Sequence, residues 1–477
     1  MGEGTRSRGL THRLSGWVPD VVVVICLALS ASQVFFNLGG RIGLVADPAS
    51  EPAQVRPPDG VHVPAQPVAQ AVAPVAAAVP DAARVRRAVA GALVQKNLGK
   101  RVRALVTDLD GHVMFSRGSG AITPASNTKL VSTLAALDAM GPDQRFQTTV
   151  RRVAGSNVIT LVGGGDPYLG DAAAEPGGYP ARASLAQLAA RTAARLRTAG
   201  VSTVRLRYDD SLFSGPAFNP RWPASYRPDG VVPPISALWV DQGHDPDGHG
   251  YRDNPAAGAA AAFAAQLRRV GVGVRGPISR RVATSGDSAI AHVQSAPLAQ
   301  IVQRIVSVSD NNAAEVVLRH LALADSDTGS FTAGAAAVTK RLRALGVNLE
   351  GVRLYDGSGL SRDNRLSTRT LVDVLRVAAK ASRPDLRAVI NGLSVAGFEG
   401  SLADRFDRTD PRALGRVAAK TGTLTGVHGL AGIATDVSGA PMVFAVMTDQ
   451  VPLPRTLPAR LQLDRFAAAL GACHCAG

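Results

Sequence analysis

Runs with strand character stand at opposite ends of the globular part of this chain, and that separation constrains the fold more than any other feature. Near the start, "VRALVTDL" (102–109) and "VMFSR" (113–117) flank an Asp110-Gly111 pair, a hairpin signal. Near the end come "LAGIATDV" (430–437) and "MVFAVMTD" (442–449). Between them, helical spacing recurs over 298–308, 311–323, 334–346 and 367–381, and a last helix follows near 458–470. A sheet that gathers strands from both ends, covered by the intervening helices, is an α+β domain. The stretch 81–98 also has helical spacing. From about Arg145 to Gly286 the pattern changes: short strands ("NVITLV", "TVRLRY") alternate with Ala-rich helices and Pro-rich loops, as in an inserted α/β unit. The expected division is 81–145 for the first part of the main domain, 146–286 for the insertion and 287–477 for the second part.

The 477 residues allow two or three domains, and 46% hydrophobic content with 19% charge permits a sizeable core. Lys+Arg outnumber Asp+Glu by 52 to 37, giving +15, which favours polyanionic surroundings such as anionic lipid or acidic wall polymers. No long basic run is present and aromatics are only 4%, so a stacking platform for nucleic acid is not supported. Lysine is confined to positions 96, 100, 129, 340, 380 and 420. Unlike arginine, lysine can give up its proton, so these positions are candidates for chemistry that needs a neutral amine.

Residues 1–16 carry Arg6, Arg8 and Arg13 against one acid, Glu3, and "VVVVICLALSASQVFFNL" (21–38) follows. This layout predicts export, with 1–16 cytoplasmic and 17–38 an uncleaved signal anchor; a signal peptide cleaved after Ala31 or Ser32 is the alternative. Residues 39–80, rich in Pro and Ala, read as an extended linker that holds the globular part off a membrane. The cysteines, Cys26, Cys473 and Cys475, are too few for a disulfide framework. Cys473 and Cys475 flank His474 and are expected as unpaired thiols in a frayed tail rather than as a metal clip.

In "TPASNTKLVSTLAAL" (123–137), Ser126 and Lys129 lie three apart at the start of an apolar helix, hence on one face. The first amides of a helix lack intrahelical partners, so Ser126 offers a nucleophile beside a free N–H. Lys129 becomes a base if burial and nearby cations lower its pKa. Taken alone, a helix cap and a solvated lysine explain the pair better. "SVSDNNAAEVV" then presents Ser309-Asp310-Asn311 opening a helix, and "VAAKTGTLTGVHGLAG" presents Lys420-Thr421-Gly422-Thr423 leading into a strand. In this order the three motifs form the signature of active-site-serine β-lactamases and penicillin-binding proteins. Ser309 is suited to relaying a proton to the leaving amine and Asn311 to holding a substrate amide. Lys420 supplies positive charge, Thr421 and Thr423 offer hydroxyls to a carboxylate, and Gly422 leaves room for a substrate backbone along the strand edge.

The sequence resembles the class C low-molecular-mass penicillin-binding proteins, the D-alanyl-D-alanine carboxypeptidase/endopeptidase family, over roughly 81–470. "GGGDPYLG" (163–170), "YDDSLFSGP" (208–216), "PPISALWVDQ" (233–242) and "YDGSGLSRDNRLS" (355–367) add to the three motifs. The resemblance implies the serine β-lactamase/DD-peptidase fold, an antiparallel sheet flanked by helices with an inserted α/β domain. It implies cleavage of D-Ala-D-Ala termini, and of D-Ala cross-links, in peptidoglycan stem peptides through an acyl-enzyme on Ser126. Gly359 and Leu360 would line the cleft, β-lactams would be covalent inhibitors, and neither metal nor cofactor is called for. The location implied is the cell envelope, anchored by the N-terminal segment or secreted. A β-lactamase or esterase on the same scaffold and a non-catalytic wall scaffold are the alternatives. The 183 residues from Ser126 to Ser309 leave room for one inserted domain where many family members carry two.

Three other features read plainly. "HDPDGHGYRD" (244–253) lacks the spaced acids and closing Glu of a calcium loop and reads as a solvated loop. "GGGDP" lacks a phosphate-binding pattern and reads as a turn. His428 is expected on a strand surface, and Tyr355 and Asp356 at a strand end.

Overall fold

The computed structural model describes residues 78–173, 177–247 and 250–477. The expectations for 1–16, for 17–38 and for nearly all of the linker lie outside the described residues. Among the described residues no helix is long and apolar enough to cross a membrane. The principal elements begin with α1 (Ala82–Val89), β1 (Arg101–Thr107), β2 (Val113–Arg117) and α2 (Thr128–Met140). Next come β3 (Gln147–Arg152), β4 (Val158–Val162), α3 (Leu185–Thr198), β5 (Thr203–Asp209), α4 (Pro255–Arg269), β6 (Gly273–Val274), β7 (Ser279–Arg280) and β8 (Ser288–Gln294). The chain continues through α5 (Leu298–Ser307), α6 (Asn311–Ser326), α7 (Phe331–Ala344) and α8 (Thr368–Ala379). It ends with β9 (Ser394–Val395), β10 (Val417–Leu424), β11 (Val427–Thr435), β12 (Pro441–Asp449) and α9 (Thr456–Ala472).

The main sheet runs β2-β1-β12-β11-β10-β9, every pair antiparallel, so the two ends of the chain do meet in one sheet. Side chains alternate across a strand, and in β12 that alternation divides two cores. Val443, Ala445 and Met447 pack with α2, α5, α6 and α8, whereas Met442, Phe444 and Val446 pack with α1 and α9. Burial on both faces explains why β12 reads as a nearly continuous apolar run. The helices start where side chains cap them: Ser367 Oγ accepts the Thr370 N–H at α8, and Asp310 accepts the Ala313 N–H at α6.

The insertion is a second sheet, ordered β6-β5-β4-β3-β8 with β7 also on β5, packed with α3 and α4. β4 and β5 are parallel while β3 is antiparallel to both its neighbours, an α/β arrangement. Its last strand, β8, extends to Gln294, past the 286 boundary read from composition. "SAIAHVQ" is half exposed, which hid its strand character. The helix expected over 81–98 stops at Val89, and only a short 3-10 turn follows at Gln95–Asn97.

The tail corrects another expectation. Cys473 and Cys475 form a disulfide, and Cys475 is fully buried. The fully buried Asp436 carboxylate accepts N–H groups from Ser438 (2.9 Å), Ala440 (2.8 Å), Cys475 (2.7 Å) and Ala476 (3.0 Å). The Asp81 N–H donates to Cys475 O (2.7 Å) and the Gly477 N–H to Val79 O (3.1 Å). A side-chain carboxylate and the backbone of 79–81, two distant segments, hold the tail, and local sequence carries no trace of them.

Candidate active site

Ser126 lies in a 3-10 turn, Ala125–Asn127, that leads into α2. Ala125 is buried with φ +50°, a left-handed conformation that a non-glycine residue holds only under constraint. The constraint comes from both sides. A Cβ on Gly359, itself at φ +89°, would lie 1.9 Å from Ala125 O, and a Cβ on Gly422 would lie 2.7 Å from Pro124 O. Both glycines are therefore required so that the Ser126 turn can press against the 356–361 loop and against β10. For Gly422 this differs from the expected role of making space for substrate. Leu360 is buried beside Gly359.

Lys129, on the first turn of α2, is fully buried. Its Nζ lies 3.1 Å from Ser126 Oγ, 2.7 Å from Asn311 Oδ1 and 2.8 Å from Ser358 O. Burial lowers its pKa to about 8, while Glu315, Asp310 and Asp356 oppose the shift. A neutral amine has two N–H bonds and one lone pair. Asn311 Oδ1 and Ser358 O can only accept, so the lone pair is left for the Ser126 hydroxyl. One residue from each of three distant segments thus converges on a single nitrogen.

Lys420 stands within β10 rather than ahead of a strand, fully buried, with Nζ 2.8 Å from Thr421 O. Burial depresses its pKa, and the charges of Lys129 and Arg405 add to the effect. β9 pairs with β10 only at Ala418 and Ala419, so the edge from Lys420 to Leu424 has no strand partner among the described residues. Alternation carries Thr421 and Thr423 to the face opposite Lys420. Thr421 Oγ1 donates to Ser401 Oγ (3.1 Å), and Thr423 is exposed. Ser309 sits two residues from Asn311 in a left-handed turn (φ +61°), half-buried, and no hydrogen bond of its hydroxyl is formed among the described residues.

Sequence reasoning missed the groups behind Lys129. Asp356, expected at a strand end, is buried and accepts from Trp222 Nε1 (2.8 Å), Gly359 N (3.0 Å), Ser361 N (2.6 Å) and Asn364 Nδ2 (2.6 Å). Glu315 is fully buried and accepts from Gly357 N (3.1 Å) and Ser358 N (2.7 Å). Burial and the Asp356 charge push its carboxyl up, and the N–H donors oppose them. Together the two carboxylates fix the loop that presents Ser358 O to Lys129. The available signal was a Glu set among the apolar residues of "AAEVVL" (313–318). His428 is buried, not on the surface: it faces Thr423 across β10–β11, and burial with nearby Arg460 and Arg405 lowers its pKa to about 4.

Comparison with known proteins follows the same lines. The D-Ala-D-Ala carboxypeptidase 3 (S13) family matches residues 85–246 and 251–470. The chain belongs to this family. Carboxypeptidase DacB of Mycolicibacterium smegmatis is 34% identical to this S13 member over 99% of both chains. A D-alanyl-D-alanine carboxypeptidase of an Actinomadura strain is 29% identical, over 72% of this chain and 77% of its own. The fold is that of penicillin-binding protein 4 from Haemophilus influenzae, with a TM-score of 0.67 at 20% identity over 79% of this chain and 97% of that one. The low-molecular-mass penicillin-binding resemblance read from the motifs therefore holds, and so does the α+β fold class.

Proposed function

We propose that this protein is a serine D-Ala-D-Ala carboxypeptidase of the cell envelope, acting on peptidoglycan stem peptides through an acyl-enzyme on Ser126. Membership of the S13 family and full-length similarity to a named carboxypeptidase support the activity. The observation that carries the residue assignment is the lone-pair geometry at Lys129. Its two acceptors, Asn311 Oδ1 and Ser358 O, leave the amine free to take the Ser126 proton.

As Ser126 Oγ bonds to the carbonyl carbon of the penultimate D-Ala, its proton passes to Lys129 and the carbonyl electrons move to oxygen. Collapse of the tetrahedral intermediate breaks the C–N bond, and the terminal D-Ala leaves with a proton relayed through Ser309. Water then attacks the ester, and Ser126 recovers its proton. Lys420, when protonated, supplies positive potential for the terminal carboxylate, whose own charge favours that form against burial, and the open edge of β10 suits a strand-like substrate. The N–H groups of Ser126 and Thr423 are suited to the oxyanion. β-Lactams would acylate Ser126, because their strained amide mimics the scissile bond. Cleavage of cross-links would use the same steps. Residues 17–38 would carry the chain out of the cytoplasm and hold it to the membrane, or be removed on export.

The test is fluorescent penicillin labelling of wild type and Ser126→Ala, with mass spectrometry of the adduct, beside D-Ala release from a D-Ala-D-Ala peptide. Label on the alanine variant refutes the assignment. Rapid turnover of a chromogenic cephalosporin without D-Ala release would favour a β-lactamase. Recovery of full-length protein in a soluble cytosolic fraction would refute envelope anchoring.

A further inference from the structure

Asp310 lies between Ser309 and Asn311, and its carboxylate divides its work. One oxygen, Oδ1, accepts the Ala313 N–H (3.0 Å) and caps α6. The other, Oδ2, accepts from Gln242 Nε2 (2.8 Å), a residue of the inserted segment. Next along α6, buried Asn312 donates from Nδ2 to Tyr251 Oη (3.2 Å), also of that segment. Two bonds from one loop thus bracket Asn311, whose Oδ1 in turn accepts from Lys129.

The loop that delivers them is strained. Asp241 (φ +48°) and Gln242 (φ +54°) are consecutive non-glycine residues in the left-handed region, where each costs about 1–2 kcal/mol. Surrounding bonds hold them there. The Asp241 N–H donates to Leu169 O (2.9 Å), the Gly243 N–H to Val240 O (2.9 Å) and the His244 N–H to Asp241 O (3.1 Å). His244 and Tyr251 form a β-bridge, with ring centroids 4.4 Å apart. A relaxed turn would aim the Gln242 side chain elsewhere. Ser309, the residue before the Asp310 so held, is itself left-handed (φ +61°). Strain on both sides of one hydrogen bond, beside the reacting groups, indicates a conformation kept for its consequence.

We propose that Gln242 is a positioning residue: the inserted domain, through Gln242 with Tyr251 in support, sets the Ser309-Asp310-Asn311 turn so that Asn311 holds Lys129 and Ser309 faces the leaving group. This rests on the catalytic reading of Ser126, Lys129, Ser309 and Asn311. Lys129, Tyr168 and Tyr251 are also within electrostatic reach of Asp310.

The experiment measures acylation of Ser126 by a β-lactam and D-Ala release from a D-Ala-D-Ala peptide, in wild type, Gln242→Leu, Gln242→Glu and Tyr251→Phe. Gln242→Leu is expected to lower kcat about 10- to 100-fold with KM nearly unchanged, the size of effect that a slight misplacement of reacting groups produces. Gln242→Glu sets a second carboxylate against Asp310, and the pair resists double ionisation. The ratio of its rate to wild type should therefore fall as pH rises, a trend absent from Gln242→Leu. A loss confined to KM, or a pH-independent ratio in Gln242→Glu, overturns the proposal. If Gln242→Leu does not fold, Tyr251→Phe, which deletes one hydroxyl, decides: an unchanged kcat overturns it. Failure of wild type to acylate at Ser126 would instead sink the functional reading beneath it.

Discussion

If Lys129 acts as the base, its neutral form sets the rate, and kcat/KM should climb with pH through an apparent pKa near 8. Glu315 offers a way to move that limb. Its negative charge favours the Lys129 ammonium, so removing the charge lowers the amine's pKa and shifts the limb toward acid. The structure bounds the size. Lys129 Nζ is 2.8 Å from Ser358 O, and Ser358 N is 2.7 Å from Glu315 Oε1. With one residue's backbone between those atoms, the charges are at most about 9 Å apart, worth at least about 1.8 kcal/mol at an effective dielectric constant of about 20, or at least about 1.4 pH units. Glu315 is itself held partly protonated by burial, so the expected displacement is about half that, roughly 0.5–1 unit. The assay is kcat/KM for D-Ala release by Glu315→Gln from about pH 5 to 10. The substitution sets an amide NH2 against the N–H of Gly357 or Ser358, so a stability loss of about 1–3 kcal/mol is expected and is followed by thermal melting. The position of the limb does not depend on the fraction of active protein. A limb that stays put, or moves toward alkali, refutes the coupling of Glu315 to the base.

The glycines that seat the Ser126 turn give a second prediction. Gly422→Ala, whose Cβ would meet Pro124 O at 2.7 Å and Asn127 Nδ2 at 2.8 Å, should fold yet acylate about 100-fold more slowly, while Gly359→Ala, with a contact of 1.9 Å, should not fold stably. Penicillin labelling and circular dichroism separate the two outcomes. Asp436→Ala leaves four N–H donors without their acceptor and should cost about 3 kcal/mol or more in urea denaturation, with the acidic limb unmoved. Lys129 has a lowered pKa in the folded state, so the folded chain binds fewer protons than the unfolded one and stability rises with pH between about 8 and the ordinary lysine range. Up to about 3 kcal/mol of that rise should vanish in Lys129→Met, measured by denaturant titration at neutral and alkaline pH.

How far this was legible in the sequence depended on the kind of signal. The β1–β2 hairpin and the strands β11 and β12 announced themselves through side chains that suit a sheet, and five of the helices through their spacing. Ser126, Lys129, Ser309, Asn311 and Lys420 were legible because the chemistry requires those functional groups. What stayed hidden acts through the backbone or at long range. The third partner of Lys129 is a main-chain carbonyl, and any residue at position 358 would supply one. Glu315 and Asp356 act by collecting N–H groups from a loop far along the chain, so only the folded state gives them partners. Gly422 was noticed for the strand edge it leaves to substrate, and its crowding by Pro124 and Asn127 was not visible. Gly91 follows α1 closely, a helix-weakening residue that the periodicity over 81–98 outweighed.

The stitching of Val79 and Asp81 to Gly477 and Cys475 has a mechanical consequence. Tension applied to the chain ahead of residue 79 does not simply peel α1 from the sheet. It loads the two short backbone bonds, passes through the disulfide-closed tail to Asp436, and spreads into the β11–β12 hairpin. A tethered enzyme held in this way would take the load between two central strands, at the Val417 end of β10 rather than at its Leu424 end.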